Sequence, residues 1–285
     1  MTSRTPGTGP SRLLLALAGA GAARATLAGA AALTDRPAGA PWRRTNYAGR
    51  PVTLLGGPAL ALSATATAVL GAPAGARAAA AVVGTVSGLV GGYDDLAGAR
   101  PEQARDKGLA GHLRALREGR VSAGAVKVAG IGTAAAVAAV LTRGRSRGAA
   151  ALVDGVLTTG LVAGTANLLN LLDLRPGRAA KAGSIAAAAA LAGRSGGLVA
   201  GPLGATVAVL PADLTERIML GDCGANGLGA LLGLRLAAMP GRGARTGALA
   251  VITALTLASE KVSFTRVIEA TPGLRELDRL GRLPS

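Results

Sequence analysis

Nine apolar stretches, separated by short basic runs, organise a chain of 285 residues. They lie at about 13–33, 52–72, 77–93, 124–142, 149–170, 182–193, 197–211, 223–239 and 246–260. A soluble domain of this length fills its core with large aromatic and branched side chains packed at crystal-like density. Here the aromatic supply is one Phe, two Tyr and one Trp, against 66 Ala and 44 Gly. A large soluble α/β or all-β domain is disfavoured on that ground. A chain that is 50% hydrophobic is also too apolar to stay disordered. The expectation is an all-α polytopic membrane bundle of about nine transmembrane helices, in which Ala and Gly let helices approach closely.

Several stretches fall short of the ~20 residues that a ~30 Å hydrocarbon core requires, so neighbouring helices must hold them. Residues 13–33 resemble the apolar region of a signal peptide, but Arg24 interrupts them and further spans follow, which favours a retained first span. Residues 182–211 read either as two short spans hinged at Arg194-Ser195-Gly196-Gly197 or as one long helix. With two, the loops alternate in sets carrying 20 and 9 Lys and Arg residues. The richer set is 34–51, 94–123, 171–181, 212–222 and 261–285. The positive-inside bias puts that set in the cytoplasm, with the N-terminus outside and the C-terminus cytoplasmic. A single helix over 182–211 would carry the basic tail outside, so two are preferred. Arg143, Arg145 and Arg147 go against the bias. The organisation expected is an N-terminal tail (1–12), a transmembrane domain (13–260) and a cytoplasmic amphipathic tail (261–285).

The net charge of +16 does not point to nucleic acid. Nucleic-acid binders gather basic residues on one face and usually interleave aromatics. These basic residues sit between apolar stretches, as in a protein on an anionic leaflet or one that handles an anionic substrate. Cys223 is the single cysteine, which excludes an internal disulfide and a Cys-based metal cage.

Fourteen of the fifteen acidic residues fall in, or at the edge of, the richer loop set; Asp154, inside a span, is the exception. Three segments stand out on that face. Asp94-Asp95 ends the third stretch. Two carboxylates there face the negative end of the helix dipole and repel each other unless a cation, such as a hard divalent ion, is present. A solvated helix end is the plainer reading. Asn167, Asn170 and Asp173 recur every three residues at the end of the fifth stretch, on one helical face, and polar groups in lipid are costly. Inter-helix hydrogen bonding is the plainer reading there. Gly221-Asp222-Cys223-Gly224 opens the eighth stretch, where Asp222 reads most simply as an N-cap.

Taken in order, these three segments resemble the polyprenyl-phosphate N-acetylhexosamine-1-phosphate transferases, glycosyltransferase family 4. That superfamily includes phospho-N-acetylmuramoyl-pentapeptide transferase and the UDP-N-acetylglucosamine:undecaprenyl-phosphate transferases. The resemblance covers roughly residues 40–240. It extends to the basic loop Asp106-Lys107-Gly108-Leu109-Ala110-Gly111-His112-Leu113 and to the polar segment Thr45-Asn46-Tyr47-Ala48-Gly49-Arg50-Pro51. It implies an integral protein of the bacterial cytoplasmic membrane that moves a sugar-1-phosphate from a UDP-sugar to a polyprenyl phosphate, such as undecaprenyl phosphate. The reaction would release UMP, need Mg²⁺ and serve cell-envelope glycan synthesis. Phosphoryl transfer between two anions needs such neutralisation.

By resemblance, Asp222, Asp94 and Asp95 would hold the metal. Asp94, Asp95 and Asp173 would be catalytic, and Asn170, Asn167, Lys107 and Asn46 would contact substrate. The partners implied are the UDP-sugar, the lipid phosphate and the membrane, without nucleic acid; a homodimer is compatible with them. The chain departs from the muramoyl-pentapeptide enzymes after Asp173. Where they continue with Gly-x-Asp-Gly, it has Leu174-Arg175-Pro176-Gly177, so a second carboxylate is absent. The family's late His-rich loop is missing, and the one histidine, His112, lies elsewhere. The alternative is a catalytically inactive membrane protein of the same fold that binds lipid carrier or regulates envelope assembly. A small transporter is disfavoured, because only Asp154 is acidic within a span outside the three segments.

Overall fold

The computed structural model describes residues 10–97, 117 and 122–284. They are mostly helical. The helices, in chain order, are α1 (Arg12–Thr34), α2 (Gly56–Gly71), α3 (Arg77–Ala97), α4 (Ala123–Leu141), α5 (Gly148–Leu172), α6 (Arg178–Ala189), α7 (Gly197–Leu214), α8 (Gly221–Ala237), α9 (Arg242–Ser259), α10 (Phe264–Ala270) and α11 (Leu274–Arg279). Each of the nine apolar stretches overlaps one of the helices α1 to α9. Local signals explain several starts. Ser11 and Ser122 cap α1 and α4 by accepting the N–H groups of Leu14 and Ala125, each at 3.2 Å.

Five segments are long and apolar enough to cross a membrane: Arg12–Thr34, Ala74–Ala97, Ala123–Leu141, Gly148–Leu172 and Gly197–Leu214. A sixth arises if α9 and α10, which meet at 98°, form one broken span. The helices α2, α6 and α8 are shorter, at 16, 12 and 17 residues. The 12-residue α6 is only ~18 Å long at 1.5 Å per residue. The helix α8 is the centre of the bundle, buried from Cys223 to Leu234 without interruption. The 182–211 region is two helices, α6 and α7, broken at residues 190–196.

Around α8 pack α2, α3 and α5, while α1 and α2 hold α7, and α4 joins α3 to α5. The crossings are made by small residues. At Gly91 of α3, an added Cβ would strike the backbone of Asp222, so only glycine permits this approach of α3 to the start of α8. Between α1 and α2 a short antiparallel hairpin, β1 (Arg43–Thr45) and β2 (Pro51–Thr53), pairs Arg44 with Val52. The segment leading into α8 runs parallel to it through a Thr53–Ile218 bridge, with the Met219 N–H donating to the Thr53 carbonyl at 2.9 Å. That bridge ties the hairpin to the segment that ends in Gly221-Asp222. The C-termini of α3, α5 and α7, the N-terminus of α8 and the hairpin therefore share one end of the bundle.

Candidate active site

The start of α8 is set by one backbone position and one carboxylate. Gly221 has φ +58°, in the left-handed region where a side chain is strained, and a Cβ there would come within 2.8 Å of the Asp95 carboxylate. Asp95, from the last turn of α3, accepts the N–H groups of Asp222 and Cys223, each at 2.9 Å. It thus caps α8 from another helix, supplying the acceptors that the first turn lacks within itself. Its own carbonyl accepts the Arg44 guanidinium. Asn226, one turn further, donates to the Asp222 carbonyl at 2.8 Å.

Clamping α8 in this way turns the Asp222 side chain toward Asp94. Both carboxylates meet the ammonium group of Lys127, at 2.7 Å from Asp94 and in a close ion pair with Asp222. All three side chains are largely buried, at 18–24% exposure. Lys127 is not among the residues that the sequence motifs single out. A signal was available: an ionisable residue within an apolar helix marks a functional site by default.

Asp173 stands at the C-cap of α5 with its carboxylate near the Gly221 N–H. Burial pushes its carboxyl well above the ordinary value, and the charges of Asp213, Asp222 and Asp95 add to the push. Asp213, at the end of α7, is 1% exposed; it takes a backbone hydrogen bond from Gly177 and leaves Oδ2 without a partner. A buried carboxylate thus lies beside the half-buried Asp173, contributed by a different helix from the one that carries the Asn-x-x-Asp stretch. Its position just past an apolar run made it look like an ordinary loop residue.

The other expected site residues are placed as follows. Asn170 is half-buried in the last turn of α5, its carbonyl accepting the Asp173 N–H at 3.0 Å, whereas Asn167 is exposed. Asn46 is buried and engaged within the protein. Its Oδ1 accepts the N–H groups of Ala48 and Arg50, closing the hairpin turn, and its Nδ2 donates to Glu216. Glu216 is held at φ +56° by this contact and by Arg50 at 3.4 Å. Lys107 and His112 lie outside the described residues.

A basic rim surrounds this end. The Arg175 guanidinium lies 4.0 Å from the Tyr47 ring centroid, and Arg282 donates to the Tyr47 hydroxyl at 2.9 Å. Arg178, buried, holds Asp278 of the tail through two hydrogen bonds of 2.7 and 3.1 Å, and Lys181 reaches the Leu277 and Asp278 carbonyls. The tail helix α11 is thereby fastened across the start of α6.

Among the described residues, no three Asp, Glu, His or Cys side chains are grouped to hold a metal ion. Asp94 and Asp222 nevertheless meet at one cation, the Lys127 ammonium, while both oxygens of Asp95 are turned to the α8 backbone. Two carboxylates at a common point fit the way Mg²⁺ is commonly bound, through one or two carboxylates with water and substrate phosphates completing its shell. No protein-family model and no curated protein matches the chain.

Proposed function

We propose that the chain is a membrane-embedded transferase that moves a sugar-1-phosphate, of the N-acetylhexosamine class, from a UDP-sugar to a polyprenyl phosphate at the cytoplasmic face of a bacterial membrane, releasing UMP. In this reading α1 to α9 are the nine spans, with the N-terminus outside. The observation that carries it is the meeting of Asp94 and Asp222, 128 positions apart in sequence, at one cation, with the half-buried Asp173 close enough to feel the Asp222 charge. Of the three segments that carry the resemblance, each contributes a carboxylate to this one end of the bundle.

The chemistry divides among the side chains. Asp94 and Asp222 would hold Mg²⁺, which supplies charge neutralisation at the diphosphate of the UDP-sugar. Asp95 keeps the first turn of α8 in place and so fixes the direction of Asp222. The acceptor phosphate oxygen attacks the β-phosphorus, one P–O bond forms, and the bond to the UMP oxygen breaks. Lys127, freed from its carboxylates, offers a mobile positive charge to the phosphates. Asp173, whose carboxyl is raised chiefly by burial, would contact the nucleotide sugar. Arg44 and Arg175 extend the positive field at the rim.

One observation favours a second reading, an inactive protein of the same fold: the Lys127 ammonium already occupies the point where the two carboxylates meet. A single assay separates the two. Purified protein receives radiolabelled UDP-N-acetylhexosamine, undecaprenyl phosphate and Mg²⁺, and UMP and labelled lipid are followed. Product that disappears in Asp222→Ala supports the transferase. No product with any UDP-sugar, or full activity in Asp222→Ala, refutes it.

A further inference from the structure

We propose that the opposite end of the bundle holds a binding groove for an anionic phospholipid, with its headgroup phosphate between Arg143 and Arg245 and an acyl chain against α4, α5 and α8. The groove has a volume of about 1260 Å³ and opens between the α4–α5 connection and the ends of α8 and α9. This exceeds the ~300–1,000 Å³ typical of small-molecule pockets, leaving room for a chain as well as a headgroup. Its walls are apolar and small, with Ala139 on α4 and Leu152 and Gly155 on α5. Its mouth is basic.

The charge at this mouth is only partly balanced among the described residues. Arg143, Arg145 and Arg147 lie on the α4–α5 connection, and Arg242 and Arg245 at the start of α9 both pair with one carboxylate, Asp154. Asp154 is fully engaged: Arg242 reaches it through two hydrogen bonds and Arg245 through a third. The Arg245 Nε–H is nonetheless buried without an acceptor. A buried donor left unpaired is costly, and an anionic oxygen in the groove would satisfy it. The three arginines of the connection are also those that run against the positive-inside bias, and an anionic ligand at that end supplies a reason for them. The apolar walls favour a lipid phosphate over a soluble anion.

Protein reconstituted with equal amounts of phosphatidylglycerol and phosphatidylcholine of matched acyl chains is released for native mass spectrometry. The expected result is retained phosphatidylglycerol in preference to phosphatidylcholine. Arg143→Gln and Arg245→Gln should each weaken that preference about fivefold. Gly155→Leu tests the chain site independently of the ion pairs. No atom lies within 4 Å of a Cβ built there, so the added side chain grows into the groove and should remove both adducts from a protein of unchanged helix content. Equal retention of the two lipids by the wild type, undiminished adducts in Gly155→Leu, or a co-purifying polypeptide in place of lipid would overturn the proposal.

Discussion

Lys127→Met offers the sharpest test of the acidic end. The variant keeps the length and apolar stem of the side chain but removes the charge that sits between Asp94 and Asp222. Each carboxylate is about four-fifths buried, so neither regains full hydration when the ammonium is lost. The Coulomb attraction of one such pair at 2.7 Å is ~6 kcal/mol at an effective dielectric constant of 20. Most of it offsets the cost of taking both ions from water, and removing one partner of a buried pair typically costs about 3–5 kcal/mol. The lower end applies here because the site is open at its rim.

Taking ~3 kcal/mol, the melting midpoint in detergent with EDTA should fall by roughly 6–12 °C. If the two carboxylates form a divalent-cation site, Mg²⁺ then has an unoccupied place in the variant. At a hundred times its dissociation constant it should restore ~2.7 kcal/mol, close to the whole loss. The wild type, whose own ammonium competes, should gain less. A variant that melts like the wild type in EDTA, or one that Mg²⁺ does not stabilise, refutes the placement of a cation between Asp94 and Asp222.

Other perturbations reach the neighbouring parts. Gly221→Ala forces a side chain to φ +58° and toward Asp95, at a cost of about 1–3 kcal/mol, and should lower both the melting midpoint and any transferase activity. Although burial pushes the Asp278 carboxyl up, its hydrogen bonds to Arg178 and the surrounding guanidinium charges bring it below the ordinary 3.8. The tail contact is therefore fully present above that pH and lost as pH falls through the lower folded value. Limited proteolysis should release the tail of the wild type only in acid, and that of Asp278→Asn already at pH 7. Asp173 has the opposite sign: its raised carboxyl makes the folded state lose stability as pH rises through the folded value. Asp213→Asn, which removes the largest like charge acting on it, should flatten that decline in a series of melts that starts at the ordinary 3.8 and runs upward in pH.

How far the sequence reached can be judged residue by residue. The position of every helix from α1 to α9 was legible, because apolar runs in an Ala- and Gly-rich chain have little choice but to be helical. The break at 190–196 was legible from Arg194-Ser195-Gly196-Gly197 and from the charge balance of the loops. Which helix would lie at the centre was not. The stretch at 223–239 looks much like the others, but Gly91 on α3 and the small residues around it let α8 be enclosed on all sides. Burial of that kind depends on partners distant in sequence, which a local pattern does not record.

The same distinction runs through the acidic end. Sequence alone determined that Asp94, Asp95, Asp173 and Asp222 gather on one face, since alternating helices bring alternate connections to the same side. It determined too that this end of the chain would be rich in both acids and arginines. Tertiary structure decided their roles. It turned Asp95 to the backbone of α8, set Asp94 and Asp222 on Lys127, spent Asn46 on the hairpin and Glu216, and brought Asp213 beside Asp173. Periodicity fixes which face of a helix a residue occupies. Only the approach of separate helices, made close by glycine and costly by buried charge, fixes what that residue meets.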